Sequence, residues 1–494
     1  MTVADCGHTG DAGLICSHMQ NAQEKWYILQ FTGVGSVCHL TCEECGPVPV
    51  AELRSACRDC WMRIVRENHC IEVRGTPQVI DRAAGYTFAH RAVGPIPLPH
   101  RVHDWQPLRA EDRQRWLTVD AAGRVCDVDL DTGDVRHAAT IADGAVPRFD
   151  DDQTYSLVPS ADGRFAAVVN HLGPRGVVLD LTTGAVTMRL DRGDYHHDVT
   201  KFSLAFFELD GRTLLIHASD WNRLDVSDPA TGELLTPREL PARGNVNDPR
   251  PNHYLDYFHS GLVVSPDGKW VADNGWAWHP VGILTTWDIR RWVTQNVWES
   301  EDGPTRRELC DRDVWDRPVC WIAPDRLAMW GYGRDEQWML SAVVVFDVTT
   351  GKELTWFPGP SGELAFDGEL FSFDAEGGTS VWDVATGERL HRDADLRPTR
   401  YHPGAKTFLT PMPDGRFRIS RLVRPAAPEL RGETVRALAR TIHAGRRWDL
   451  MPILADALEE AGWSDVPTIT HCRAPGSHGH HCWVVDSILA ESLG

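Results

Sequence analysis

The sequence predicts a mainly β repeat protein built from stacked four-stranded antiparallel sheets, and three observations carry that reading. First, a unit of alternating apolar strand, Asp, Thr-Gly-type turn and second strand recurs along the chain. It appears at 124–135 (RVCDVDLDTGDV), 176–186 (GVVLDLTTGAV), 223–234 (RLDVSDPATGEL), 282–290 (GILTTWDIR), 341–354 (SAVVVFDVTTGKEL) and 380–390 (SVWDVATGERL). Second, most copies follow a pair of apolar strands joined through Asp-Gly, as at 157–169 (LVPSADGRFAAVV), 204–216 (LAFFELDGRTLLI) and 261–272 (GLVVSPDGKWVA). Glycine beside Asp or Thr tolerates positive φ between period-two strands, so each is a hairpin signal, and two hairpins in tandem make a four-stranded sheet. Third, one such sheet cannot bury both faces alone, so neighbours must stack, and Val, Ile, Leu, Phe and many of the 20 Trp supply the packing.

Trp287-Asp288 and Trp382-Asp383, with Ser-Pro-Asp-Gly at 265–268, resemble the WD-repeat type of β-propeller. The resemblance covers roughly 101–425 and implies a ring of about seven blades. Asp180, Asp288, Asp347 and Asp383 follow apolar strands and precede turns, so they read as side chains that fix turns by accepting backbone N–H bonds.

At 494 residues the chain exceeds one ordinary domain. The expected parts are a zinc-binding module at 1–75, a proline-rich linker at 76–100, the propeller at 101–425 and a helical module at 430–494. A formal charge of −20 speaks against a general nucleic-acid or anionic-membrane surface. The first 30 residues lack a basic segment followed by an apolar core, and no 18-residue apolar run exists. A cytoplasmic location of bacterial type is the expectation.

Eight of the 13 cysteines fall in the first 70 residues, which in a reducing compartment points to metal. Cys42-x2-Cys45, eleven residues and Cys57-x2-Cys60 give two knuckles whose four thiolates satisfy tetrahedral zinc. The second pair should open a helix at 59–68, where backbone N–H groups favour thiolate. The segment is similar to a treble-clef or zinc-ribbon module. A second set, Cys6-x-His8 and Cys16-x-His18, offers sulfur and nitrogen ligands that zinc also accepts, and its alternative is a terminus carrying incidental side chains. Spacing is compatible with several quartets, since Cys38, His39, His69 and Cys70 can replace any of these. With 9 acidic and 6 basic residues in 1–75, net −3, the module reads as a protein-binding knob and not a nucleic-acid finger.

The linker carries Pro-Ile-Pro-Leu-Pro at 95–99, which resists a hydrogen-bonded ladder, but 86–93 (YTFAHRAV) alternates as a strand that would close the ring against the last blade. Within the propeller, the long insertions at 241–258 and 299–318 share one expected face with the aromatic stretches at 275–279 and 330–338. Trp276, Trp278, Tyr332, Arg334 and Trp338 are therefore candidate partner-binding residues, the alternative being aromatics that cap blade edges. His196-His197-Asp198, and His253 with Asp256 and His259, could be metal or acid/base groups, but they precede a first inner strand, where the WD-repeat resemblance implies a histidine bonded within the blade.

The tail repeats apolar residues at helical spacing over 435–442 and 450–461, with Asp449 as a cap and Pro452 in the first turn. LADALEEAG, then HCRAPGSHGHHCWVVDSIL, resembles a short C-terminal module of multidomain bacterial proteins. The predicted function is a non-catalytic scaffold that presents a propeller face to a protein or peptide partner, binding neither nucleic acid nor membrane. A propeller-based metal-assisted hydrolase using His196, His197 and His253, and a small-ligand sensor in a bacterial signalling or conflict system, are the alternatives.

Overall fold

The structure is a computed structural model that describes residues 13–19, 25–31, 38–45, 53–98, 100–108, 113–141, 146, 154–239, 252–278, 281–424, 432–463, 466–473 and 482–489. A five-stranded sheet comes first: β1 (Gly13–Ile15), β2 (Trp26–Phe31), β3 (Cys38–Cys42), β4 (Arg54–Ala56) and β5 (His69–Arg74), with α1 (Arg58–Glu67) before the last strand. Their spatial order is β4-β1-β3-β2-β5, with β1 parallel to β3 and β2 parallel to β5.

Seven sheets follow, at 102–140, 155–191, 204–227, 263–312, 319–358, 363–393 and 400–423, and together they form a seven-bladed β-propeller. The third has three described strands. The seventh borrows its fourth strand from the start of the chain: β6 (Thr87–Val93) runs antiparallel to Phe417–Val423 over seven residue pairs. The strand expected from YTFAHRAV is thus the one that closes the ring.

Period-two alternation explains how a blade fills both of its interfaces. In Phe165–Asn170, Phe165, Ala167 and Val169 pack toward the third blade, while Ala166 and Val168 pack toward the first. The strand Leu340–Asp347 divides its valines the same way, with Val344 toward the fourth blade and Val343 and Val345 toward the sixth. Trp116, Trp287 and Trp382 are fully buried in these seams, as a core reading of blade aromatics requires.

The turn aspartates act as expected. Asp347 Oδ1 accepts from the N–H groups of Thr349 (2.9 Å) and Thr350 (3.2 Å), and Gly351, at φ 72°, closes the turn. Asp180 and Asp383 repeat the pattern. Asp288 does the equivalent job at a helix start, accepting from Arg291 N (2.8 Å) to cap α2 (Ile289–Thr294). That helix and α3 (Glu299–Asp302) are inserted between the last two strands of the fourth blade, so 299–318 is a helical turn and an outer strand as well as a loop.

Burial alone would raise the Asp347 carboxyl, but the Thr349 hydroxyl and the turn N–H groups outweigh it and hold the group below its usual range. Against burial in each case, the Thr182 and Thr183 N–H groups with Arg164 lower Asp180, and Arg212 with the Ala230 N–H lowers Asp228. A depressed folded-state value stabilises the fold above the unfolded value, about 3.9, and that contribution is lost as pH falls through the folded value. Asp347→Asn should therefore show a smaller loss of urea resistance than wild type between about pH 5 and about pH 2.5. Equal losses would remove Asp347 from the acid response.

Four helices end the described chain: α4 (Glu433–Gly445), α5 (Met451–Glu460), α6 (Val466–Arg473) and α7 (Trp483–Leu489). They bury Val435, Ala439, Ile442, Leu454 and Leu458 around one core, while Ile453 faces out. Pro452 lies in the first turn of α5, and Asp449 pairs with Arg447 instead of capping. No helix among the described residues is long and apolar enough to cross a membrane.

Candidate metal centre and aromatic rim

The parallel pairing of β1 with β3 sets up the metal centre. Leu14 lies opposite His39, Ile15 lies opposite Leu40, and Cys16 N donates to Leu40 O (3.0 Å). Cys16 therefore leaves β1 beside the end of β3, where Cys42 N donates to Cys16 Sγ (3.3 Å). A tight turn over Ser17–Met19 turns His18 back toward a second turn, Glu43–Cys45. His18 Nδ1 lies 3.0 Å from Cys45 Sγ and 3.7 Å from Cys42 Sγ.

The ligand atoms of Cys16, His18, Cys42 and Cys45 all lie within 4.8 Å of one another. Tetrahedral coordination with metal–sulfur bonds near 2.3 Å separates its sulfurs by about 3.8 Å, so one ion fits among them. Three sulfurs and an imidazole complete four-coordination and leave no open position, the pattern of a structural site. Burial and the neighbouring Cys42 and Cys16 sulfurs push the Cys45 thiol up to about 12.

The quartet thus takes Cys42 and Cys45 from one predicted set and Cys16 and His18 from the other. Cys57 and Cys60 stay apart from it, at the start of α1 as predicted, where Cys57 Sγ accepts from Cys60 N (3.4 Å). Cys6 and His8 lie outside the described residues. Cys38 and Cys70 are buried in the core that the module shares with the propeller, and burial pushes their thiols up to about 12 and about 11. His69 faces Asp335 and the Trp26 ring.

The module docks on the fifth blade, which decides the surroundings of three predicted rim residues. Tyr332 is only 3 % exposed, accepts a hydrogen bond from Trp61 Nε1 (3.0 Å) and stacks on Trp356 at 4.1 Å between ring centres. Cys70 N donates to Asp335 Oδ2 (3.0 Å), and Trp338 packs against the same core. Arg334 pairs with Asp311 (3.1 Å). Tyr332, Arg334 and Trp338 thus lie at the seam with the chain's own N-terminal module.

An open aromatic rim lies instead on the third and fourth blades. Trp276 is 3 % exposed and stacks face to face on Phe258 at 4.4 Å, while Trp278 is 40 % exposed and meets both rings edge-on. Phe258 and Trp276 are tied by two backbone bonds (2.7 and 3.0 Å). Glycine at 275 permits this approach, since a Cβ there would lie 2.0 Å from Phe258 O. Tyr195, 47 % exposed, stacks over Phe258 at 6.0 Å and touches Trp221. Trp315 flanks Trp276 at 5.4 Å. Tyr195, Phe258 and Trp315 were not singled out from sequence. Tyr195 adjoins a His-His-Asp stretch that attracts a metal reading, and the other two lie within long insertions.

The histidines do not converge. His259 is buried and bonds Asp273 within its own blade. His253 bonds Asp302 (2.9 Å) and stacks on Trp298, and His196 joins the aromatic rim. Among the described residues, the N-terminal quartet is the one group of three or more such side chains with metal-binding proximity. In the tail, His471 Nε2 lies 3.2 Å from Cys482 Sγ, and His478, His480 and His481 lie outside the described residues.

No protein-family model matches the chain, and no curated protein matches it. Solved structures similar to it include a chain of the mitotic checkpoint complex (14 % identity, TM-score 0.41, covering 67 % of this chain and 92 % of that one). Another is the β-propeller domain of Cps50 (Swd1) from Myceliophteria thermophila (12 %, TM-score 0.42, 67 % and 99 %). A third is BamB from Moraxella catarrhalis (15 %, TM-score 0.39, 62 % and 81 %). At these scores the architecture rests on the chain's own seven sheets.

Proposed function

We propose that this chain is a non-catalytic interaction platform whose propeller presents the Tyr195/Trp221/Trp278 rim to a protein or peptide partner. The observation that carries the reading is that Tyr195 and Trp278 stand exposed, with half-buried Trp221 beside Tyr195, around the buried Phe258–Trp276 stack; aromatic residues of this type dominate interface energetics. The blades read as WD type on the His259–Asp273 bond and the buried Trp287 and Trp382. The N-terminal quartet takes zinc, whose ligand preferences match three sulfurs and one imidazole. Cys57 and Cys60, with Cys6 and His8 from the sequence, are the remaining candidates for a second ion. Thiolate ligation suits a reducing, cytoplasmic compartment.

The test is affinity capture from lysate of the native organism, comparing wild type with Tyr195→Ala plus Trp278→Ala. Both positions are exposed, so folding should survive. A partner held by wild type and released by the double variant supports the platform; identical capture by the two proteins removes the rim from partner binding.

A further inference from the structure

We infer that the partner segment seated on this rim presents a cationic side chain, arginine or lysine, to the aromatic rings; the inference rests on the platform reading. An aromatic face carries negative quadrupolar potential, and a cation over it is attracted most when water is excluded. Here Phe258 is stacked between Trp276 and Tyr195, and Trp278 stands perpendicular to Phe258 and Trp276. Phe258 and Trp276 are buried in this stack and the His196 ring stands between Tyr195 and Trp278, so the ring surface open to a cation belongs to Tyr195 and Trp278.

Charge favours the same occupant. Asp194 adjoins Tyr195, Asp220 adjoins Trp221, and Asp198 lies on the same loop as Asp194. The Asp220 carboxylate reaches across to Gly193, 3.7 Å from where a Cβ would stand, so the two segments meet. Among the described residues, Arg192 and Lys201 are committed elsewhere. Arg192 is buried and donates to the carbonyl oxygens of Gly173, His197, Thr200 and Lys201. Lys201 pairs with Asp316 (3.0 Å). Asp194 and Asp198 are exposed on a chain of net charge −20, which disfavours acidic peptides.

The loop that carries Tyr195 is held in one conformation. His196 holds φ 47°, a left-handed conformation uncommon outside glycine, and its carbonyl accepts from Val199 N (3.2 Å) beside the Arg192 clamp.

The experiment titrates the full chain with short Gly/Ser peptides that differ only at one central residue, Arg, Lys, norleucine or Glu, and follows tryptophan emission. The Arg and Lys peptides should bind about tenfold more tightly than norleucine, and the Glu peptide should bind no better than norleucine. Raising salt from about 0.05 M to about 0.5 M should weaken the cationic peptides and spare norleucine. Tyr195→Ala plus Trp278→Ala should abolish the preference, and Asp194→Asn plus Asp198→Asn should reduce it with the aromatic rings intact. Norleucine binding as well as Arg, an unchanged preference in the aromatic variant, or no measurable binding of any peptide overturns the inference. If lysate capture still depends on Tyr195 and Trp278 while no cation preference appears, the platform stands and only this inference falls.

Discussion

Stripping metal from the Cys16/His18/Cys42/Cys45 quartet should unfold the N-terminal module while leaving the seven blades closed. The module is small, and two of its five strands, β1 and β4, have three residues each. Its buried side chains share one core with the propeller, so an ion tying the end of β1 to the end of β3 would supply much of the module's own folding free energy. Structural zinc contributes an apparent value of roughly 10–16 kcal/mol in small metal-dependent folds, more than a module of this size could otherwise accumulate. Binding needs deprotonated sulfurs, so zinc retention should also weaken as pH falls. The expected result is that chelation, or Cys42→Ser, makes 13–75 sensitive to protease with release of zinc, while the fragment beginning near 76 stays resistant. A module that remains resistant after complete zinc removal would contradict this. Tyr332, Trp338 and Trp356 pack against the module, so its loss should also raise the binding of hydrophobic dyes at the fifth blade.

Removing β6 should cost more than removing the whole metal module. A chain beginning at residue 76 keeps every strand of the ring, whereas one beginning at residue 95 leaves the seventh blade without its outer strand. That strand contributes a seven-pair ladder, and Phe88 packs edge-on against Phe408 at 5.8 Å. The approach to it is fastened as well, since Asp81 pairs with Arg389 (2.7 Å) and Arg82 N donates to Arg389 O (2.9 Å). Losing both should lower stability by on the order of 5 kcal/mol, a large part of what a domain possesses. Urea unfolding of the two truncated chains makes the comparison, and a synthetic peptide spanning 79–94 should restore the shorter one. Equal midpoints for the two truncations would show that the ring closes without the strap.

Features set by near neighbours were legible in the sequence. Asp347, Thr349 and Gly351 fix their turn through bonds within five residues, so the pattern alone identifies a hairpin. Alternation in Phe165–Asn170 likewise encodes a strand with two covered faces. The blade-closing strand was readable because 86–93 alternates within an otherwise proline-rich stretch. The ligand quartet was only half legible: two-residue spacing pairs Cys42 with Cys45, but bringing Cys16 and His18 to them depends on the parallel register of β1 with β3. The rim was obscured by a longer-range effect. Nothing near Tyr332 says that Trp61, 271 positions away, will donate a hydrogen bond to it.

Ring closure also has a consequence for biosynthesis. His90 bonds Ser420 across 330 positions, so β6 leaves the ribosome long before its ladder partner has been made. At about 5–20 residues per second, that interval is roughly 15 to 65 s. Throughout it the 87–93 segment waits without its ladder partner, open to pairing with another copy until 417–423 has been made.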